Sequence, residues 1–230
     1  MILSHKHRFI FLKTQKTAGT SVEIALSKFC GEDDVITPIS AKDERIRRGM
    51  GHPGPQNHLA PISEYRSRDV FKLVTGFKRK LRYYNHISAT EVRERIGPEV
   101  WESYYKFCIA RNPWDRLISL YFYRHRREPR PTIAEFLRSN APSVQKRLGI
   151  ELYSIDGEVA VDRVCLFERL KDELEEVRQS LGLPEPLDLP RAKASFRKDR
   201  KHYREYFGEE EKGLVEELFS REIALHGFEF

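Results

Sequence analysis

The chain has 230 residues, of which 40% are hydrophobic and 33% are charged, with the two signs of charge interspersed. This composition excludes an intrinsically disordered chain and, at this length, favours a single domain over 1–230. A formal net charge of +6 indicates an anionic partner, such as a phosphate compound, an acidic glycan, nucleic acid or a membrane surface. The apolar run Phe9–Leu12 is too short for a membrane span or a signal peptide, so we expect a cytoplasmic protein with no membrane segment.

The first predicted unit is a strand at Arg8–Leu12, a loop at Lys13–Ser21 and a helix that ends near Gly31. The loop is rich in small and hydroxyl-bearing residues, and such a loop at a helix N-terminus suits an anion, with Lys16 adding positive charge. It lacks the G-x-x-x-x-G-K-[ST] order, which argues against an ordinary P-loop ATPase or kinase. Taken alone, the loop is equally compatible with a helix capped by Thr or Ser that binds nothing.

A long polar stretch follows at 32–82 and is predicted to be an irregular insertion. Within it, 32–57 is expected to be loop with at most short helices, and Val70–Val74 is either a short strand or the end of a helix. Ser88 precedes Glu91 with the spacing of a capping box, which predicts a helix that Gly97 and Pro98 stop. His86 therefore lies just before a predicted helix N-terminus.

The second unit is a strand at Tyr104–Ala110 followed by a helix with Pro113 in its first turn. Arg111 leaves the end of the strand, where open α/β sheets bind ligands, and Ser119 lies about two helical turns further on. These two side chains are placed to meet one phosphate. In the alternative interpretation, Arg111 and Arg116 pair with Asp115 or another carboxylate, and Ser119 is a surface hydroxyl.

A third unit consists of a strand at Arg163–Glu168 and a helix at Asp172–Leu181. A basic run over 191–204 then precedes a final helix at Glu209–His226. The alternation of strands and helices predicts an α/β fold with a mainly parallel sheet. The three cysteines are widely spaced and show no metal-ligand or CxxC pattern, so we expect buried, reduced thiols rather than a disulfide. They are Cys30, Cys108 and Cys165.

Two segments together resemble a known family. Lys16–Ser21 reads Lys-Thr-Ala-Gly-Thr-Ser, and Arg111–Ser119 reads Arg-Asn-Pro-Trp-Asp-Arg-Leu-Ile-Ser. In this order they resemble the two signatures of the sulfotransferases that use 3′-phosphoadenosine 5′-phosphosulfate (PAPS), in the branch that includes bacterial and Golgi carbohydrate sulfotransferases. Weaker likenesses extend over nearly the whole chain, at His86–Ala89, Leu166–Glu168, His202–Tyr206 and Gly227–Phe230.

The resemblance implies a P-loop NTPase-like three-layer fold, with a central, mainly parallel sheet flanked by helices. It implies transfer of the sulfuryl group of PAPS to an acceptor hydroxyl, with an anionic or neutral glycan as one candidate, and release of 3′-phosphoadenosine 5′-phosphate. The stretch 32–82 then lies on the acceptor side. The alternatives are a small-molecule kinase and a non-enzymatic nucleotide or nucleic-acid binder. No nucleic-acid-binding motif is present, so no nucleic-acid partner is expected.

The resemblance also implies roles for individual residues. The 3′-phosphate falls to Arg111 and Ser119, and Lys16 also offsets the charge that grows on the leaving oxygen. Because the sulfate arrives activated, no metal is expected. His86 matches the position of a base in some members, and His58 is the second choice. The residues implied to hold the 5′-phosphosulfate are Lys16, Thr17, Ala18, Gly19, Thr20 and Ser21.

The chain also departs from the family pattern. Where the family often has His-Ile-Pro before the loop lysine, this chain has Lys13, Thr14 and Gln15, so Lys13 is predicted to add charge near the donor. No clear Arg-Lys-Gly nucleotide motif occurs near the C-terminus. The candidates to cover PAPS are instead Arg191, Lys193, Ser195 and Arg197.

Overall fold

The computed structural model describes residues 1–74, 79–190 and 201–230. Arg191, Lys193, Ser195 and Arg197 lie outside the described residues. The strands are β1 (Ile2–Ser4), β2 (Phe9–Phe11), β3 (Val35–Ile36), β4 (Tyr105–Ala110), β5 (Ser154–Ile155), β6 (Glu158–Val159) and β7 (Arg163–Leu166). The α-helices are α1 (Gly19–Ser27), α2 (Ala41–Gly49), α3 (Ser67–Val74), α4 (Ala89–Ile96), α5 (Pro98–Ser103), α6 (Pro113–Arg124), α7 (Ile133–Leu148), α8 (Leu170–Ser180) and α9 (Glu209–His226). Short 3₁₀ turns lie at Ile62–Glu64, Ile150–Leu152, Phe167–Arg169 and Tyr203–Tyr206.

The central sheet has the strand order β3-β1-β2-β4-β7 in the described chain. Strand β4 pairs in parallel with both β2 and β7, whereas β1 is antiparallel to both β2 and β3. All the strands of this sheet except β1 therefore run in one direction. The predicted α/β fold with a mainly parallel sheet is confirmed.

Both faces of the sheet are covered, because successive side chains of a strand point to opposite faces. On one face, Ile10 and Cys108 pack with Ile87, which precedes α4, with Val92 of α4 and with Trp101 of α5. On the other, Phe11 and Phe107 pack with residues of α1 and α8, namely Val22, Leu26, Leu174 and Val177. A separate apolar cluster joins α6, α7 and α9. This layering is the one expected of a three-layer α/β fold.

Several elements that local sequence signals predict are confirmed. The strand and helix around Pro113 are present as β4 and α6, and the final helix has the predicted bounds. The hydroxyl of Ser88 accepts a hydrogen bond from the amide of Glu91 at 3.3 Å and caps α4. Gly97 follows the last residue of that helix.

Other predictions were wrong in detail. Helix α1 ends at Ser27 rather than near Gly31, whose amide instead donates to the Asp34 carboxylate at 2.9 Å. The stretch 32–57 contains a strand of the central sheet, β3, and the nine-residue helix α2. For Val70–Val74, the second of the two predicted alternatives is confirmed, because these residues form the end of helix α3. Strand β1 and helix α7 had no counterpart among the predicted elements.

The three cysteines are buried, free thiols, as predicted. Burial raises the pKa of both Cys30 and Cys165 to about 12, so both thiols stay protonated at neutral pH. Within the described ranges, no helix is long and apolar enough to cross a membrane.

Candidate active site

Three parallel strands end at one edge of the sheet, and the residues that follow them line a common cavity of about 360 Å³. The loop Lys13–Ser21 follows β2, Arg111 follows β4 and Phe167 follows β7. The carboxyl edge of a parallel sheet is the usual place for a ligand in such folds. The sequence-predicted residues that line this cavity are Lys13, Lys16, Thr17, Ala18, Gly19, Thr20, Ser21, His86, Arg111 and Ser119.

The loop presents the N-terminus of α1 to the cavity. Lys16 and Ala18 have φ angles of 63° and 59°, and this left-handed backbone turns the chain from the strand into the helix. Ala18 is the N-cap residue and has no side-chain oxygen, so its side chain does not cap the first-turn amides. No Thr or Ser side chain therefore caps α1 at its N-cap position, unlike in the capped-helix interpretation, and the helix end is suited to an anion.

Gly19 allows the loop to pack closely on Lys13. A Cβ atom at Gly19 would lie 2.9 Å from Cγ of Lys13, which is closer than non-bonded carbon atoms approach one another. The loop is also tied to the sheet, since the Thr14 hydroxyl donates to the carbonyl of Ile109 at 2.5 Å and lies 2.8 Å from the Thr17 hydroxyl. Thr17 is fully buried, so its hydroxyl serves the loop itself.

Lys16 lines the cavity, and its ammonium lies 4.4 Å from the centre of the Tyr123 ring. Such a contact between a cation and an aromatic face stabilises the charge without neutralising it. Sequence reasoning missed Tyr123, although it follows Ser119 by four residues and so lies on the same face of α6. Thr14 and Gln15, which belong to the predicted loop, also line the cavity, and the other lining residues that were missed are Leu120, Phe122 and Phe167.

Arg111 joins the two sequence segments. Its Nη1 atom donates to the carbonyl oxygen of Lys16 at 2.7 Å. Its Nε and Nη2 atoms donate to the Asp115 carboxylate at 2.9 and 2.7 Å, and the guanidinium lies 4.2 Å from the centre of the Phe167 ring. Arg111 thus forms the carboxylate pair of the alternative interpretation and also lines the cavity beside Ser119.

His86 faces the cavity as a neutral imidazole. Its Nδ1 atom lies 2.8 Å from the carbonyl oxygen of Lys13, and because a carbonyl only accepts, Nδ1 carries the proton. The lone pair is then on Nε2. Burial, assisted by the charge of Lys13, lowers the pKa of His86 to about 4. His58, the second choice for a base, is not among the residues described as lining the cavity.

Lys13 lines the cavity, but its ammonium is engaged by other side chains of the protein. Its side chain is buried, and its ammonium donates to the Glu23 carboxylate at 2.6 Å and to the side-chain oxygen of Asn85 at 3.0 Å. Glu23 is itself fully buried, and the surrounding positive charges lower its pKa to about 2. The charge of Lys13 is thus offset by a partner behind the loop.

Comparison with known proteins gives matches in sequence and in structure. The sequence model of the sulfotransferase family matches residues 1–151, a range that contains both sequence segments and His86. An uncharacterised protein of Archaeoglobus fulgidus is 31% identical over 103 residues, which make up 43% of this chain and 84% of that protein. The crystal structure of a sulfotransferase from Alicyclobacillus acidocaldarius is similar with a TM-score of 0.45 and 16% identity, covering 97% of this chain and 96% of that one.

Proposed function

The chain belongs to the sulfotransferase family, and we propose that it transfers the sulfuryl group of PAPS to a hydroxyl group of an acceptor. One observation carries the proposal: a single cavity contains two separate groups of anion-binding residues. The first is the uncapped N-terminus of α1 with Lys16, and the second is Arg111 with Ser119. Two such groups suit a nucleotide that carries a charged group at its 5′ end and another at its 3′ end.

We assign the 5′-phosphosulfate to the loop at 16–21. Backbone amides at a helix N-terminus bind an anion without needing a charged side chain, and the left-handed turn at Ala18 directs this end of α1 into the cavity. The ammonium of Lys16 then supplies the positive charge that the leaving oxygen needs.

We assign the 3′-phosphate to Arg111 and Ser119. Within the described chain, the bonds of Arg111 to Lys16 and Asp115 use three of the five N–H donors of a guanidinium. Asp115 and the Phe167 ring fix the plane of that guanidinium, so the remaining donors are held in place for an incoming phosphate.

The proposed reaction is a displacement at sulfur. The acceptor oxygen forms the new S–O bond, the bond from sulfur to the bridging oxygen breaks, and 3′-phosphoadenosine 5′-phosphate leaves with the electron pair. The acceptor proton moves to Nε2 of His86, which is the unprotonated ring nitrogen. Carbohydrate hydroxyls are the first acceptor class to test, because the branch that the sequence resembles includes carbohydrate sulfotransferases.

Thermal shift with three nucleotides tests the donor assignment. We expect 3′-phosphoadenosine 5′-phosphate at about 100 times its Kd to stabilise the protein by about 2.7 kcal/mol, a rise in Tm of roughly 5–11 °C. At the same concentration, ATP and adenosine 5′-phosphate should give much smaller shifts in Tm, because neither has a 3′-phosphate. Equal shifts with all three would refute the roles of Arg111 and Ser119, and a larger shift with ATP would favour a kinase.

Ser119→Ala tests whether Ser119 binds the 3′-phosphate. This variant should reduce the shift with 3′-phosphoadenosine 5′-phosphate and leave the shift with adenosine 5′-phosphate unchanged. Ser180→Ala, which removes an exposed hydroxyl from α8, is the matched control and should behave like the wild type.

The pH dependence of kcat/KM tests His86 as the base. Because burial lowers the pKa of His86 to about 4, its neutral form persists well below the ordinary value of 6.5. We therefore expect kcat/KM to hold through pH 5–6 and to fall only as the pH approaches 4. His86→Asn should abolish this acid limb and lower turnover roughly 10²–10⁴-fold, with nucleotide binding unchanged.

Circular dichroism at each pH is the necessary control for this profile. Unfolded His86 takes up a proton near 6.5 and folded His86 only near 4, so its contribution to the free energy of unfolding is lost as the pH falls between these values. An acid limb that is the same in His86→Asn, in protein that remains folded, would exclude His86 and direct the same test to His58.

A further inference from the structure

We propose that Lys13 and Asn85 are positioning residues that hold His86 with its Nε2 atom toward the cavity, and that Glu23 fixes Lys13 for this purpose. The inference rests on the proposed function, in which His86 accepts the acceptor proton. None of these three residues is assigned to bind the donor or the acceptor.

Lys13 contacts three parts of the site at once. Its side-chain stem packs against Gly19 in the donor loop, where a Cβ atom would lie 2.9 Å from Cγ of Lys13. Its ammonium is held by Glu23 of α1 at 2.6 Å, and its carbonyl oxygen accepts the Nδ1 proton of His86 at 2.8 Å. The base is therefore anchored on the residue that also supports the donor loop.

Asn85 is the second anchor of this turn. Its side-chain oxygen accepts from the Lys13 ammonium at 3.0 Å, and its side-chain amide donates to the carbonyl of Pro38. The next residue, His86, has a φ angle of 60°, a left-handed backbone conformation that costs free energy for a residue other than glycine. Contacts on both sides of the turn offset that cost and keep the imidazole in one orientation.

The positive charges around His86 favour its neutral form over the imidazolium. The groups that act on it are Lys13 from the loop after β2, the amino terminus of Met1 from β1 and Glu23 from α1, while Lys16 and Arg111 line the same cavity. Glu23 also accepts a hydrogen bond from the fully buried Arg47 at 3.4 Å, and its carboxylate lies 3.1 Å from the Met1 amino terminus. Loss of the Lys13 charge therefore leaves Glu23 in contact with the Arg47 guanidinium and the Met1 amino group.

Histidine NMR of the ligand-free protein tests the inference without requiring catalysis. In ¹⁵N-labelled wild-type protein, the His86 signals, identified by their loss in His86→Asn, should show the Nδ1–H tautomer. In Lys13→Met, the pKa of His86 should rise above about 4 and stay below 6.5, because burial remains while a positive charge is lost. The Nε2–H tautomer should also become populated.

Asn85→Ala tests the orientation of His86 separately from the charge of Lys13, because this substitution leaves every charged group in place. We expect it to populate the Nε2–H tautomer and to lower kcat roughly tenfold to a hundredfold, with little change in KM for the donor. Lys28→Met is the matched control for the Lys13 charge, since Lys28 forms an exposed ion pair with Glu185. It should leave the His86 signals unchanged.

The outcomes distinguish this inference from the proposed function. An unchanged His86 tautomer in folded Asn85→Ala would overturn the positioning role, and this holds even where Lys13→Met does not fold. A wild-type protein that shows the expected tautomer and responds to both substitutions, but transfers no sulfuryl group, would overturn the proposed function and leave the anchoring of His86 established.

Discussion

Replacing Lys16 with methionine is expected to lower kcat by roughly 10²–10³-fold, the usual cost of removing one donor to a developing negative charge. The reason is that charge builds on the bridging oxygen only as the S–O bond breaks, so the ammonium contributes more to the transition state than to donor binding. The Kd for 3′-phosphoadenosine 5′-phosphate, measured by calorimetry, should change far less, because the α1 amides, Arg111 and Ser119 remain.

Two further variants make this prediction specific. Lys16→Arg keeps the charge and should retain more activity than Lys16→Met. Lys28→Met removes a surface charge of the same sign and should leave kcat unchanged. Near-normal turnover by Lys16→Met would remove Lys16 from the chemistry, and an equal loss of binding and turnover would assign it to donor binding alone.

The elements that could be predicted from sequence are those whose signals lie within a few residues. Strand β4 and helix α6 are marked by an apolar run followed by Asn112 and Pro113, and the Asn112 side chain accepts from the amides of Trp114 and Asp115. Helix α2 lacks such an apolar signal. Its buried residues are Asp43 and Arg47, and Arg47 is held partly by Glu23, 24 residues away in the chain.

In the candidate site, too, some features have local sequence signals and others depend on contacts between distant residues. Both loops of the cavity carry local signatures, and the structure brings them together. The position of Lys13 depends on Asn85, 72 residues away, which no pattern around Lys13 reveals. From sequence, phosphate binding and pairing with Asp115 are alternative roles of Arg111, whereas in the structure Arg111 both donates to Asp115 and lines the cavity. A guanidinium has enough donors to do both.

The second large effect is expected at Arg116, which lies within the segment that resembles the 3′-phosphate signature. Its side chain is fully buried and makes two hydrogen bonds to the Glu222 carboxylate of α9, at 3.0 and 2.5 Å. The hydroxyl of Tyr153 donates to the same carboxylate at 3.3 Å. Arg116 thus joins α6 to the C-terminal helix, and it is not among the residues described as lining the cavity.

Arg116→Met should lower the free energy of unfolding by about 3–5 kcal/mol, because it leaves the Glu222 charge buried without its partner. This corresponds to a fall in Tm of roughly 6–20 °C. Removing the exposed cation of Lys28 should cost at most about 1 kcal/mol, so Lys28→Met is the control in denaturant unfolding.

The double variant Arg116→Met with Glu222→Leu should recover much of the lost stability, because it removes both charges and leaves apolar groups of similar size. Tyr153 keeps a partner, since its hydroxyl also lies 3.1 Å from Nε2 of His226. Because Arg116 acts here on α9, the double variant should bind 3′-phosphoadenosine 5′-phosphate as the wild type does. A stable double variant with weakened binding would instead assign Arg116 to the donor site, and it would then be a third residue of the 3′-phosphate group with Arg111 and Ser119.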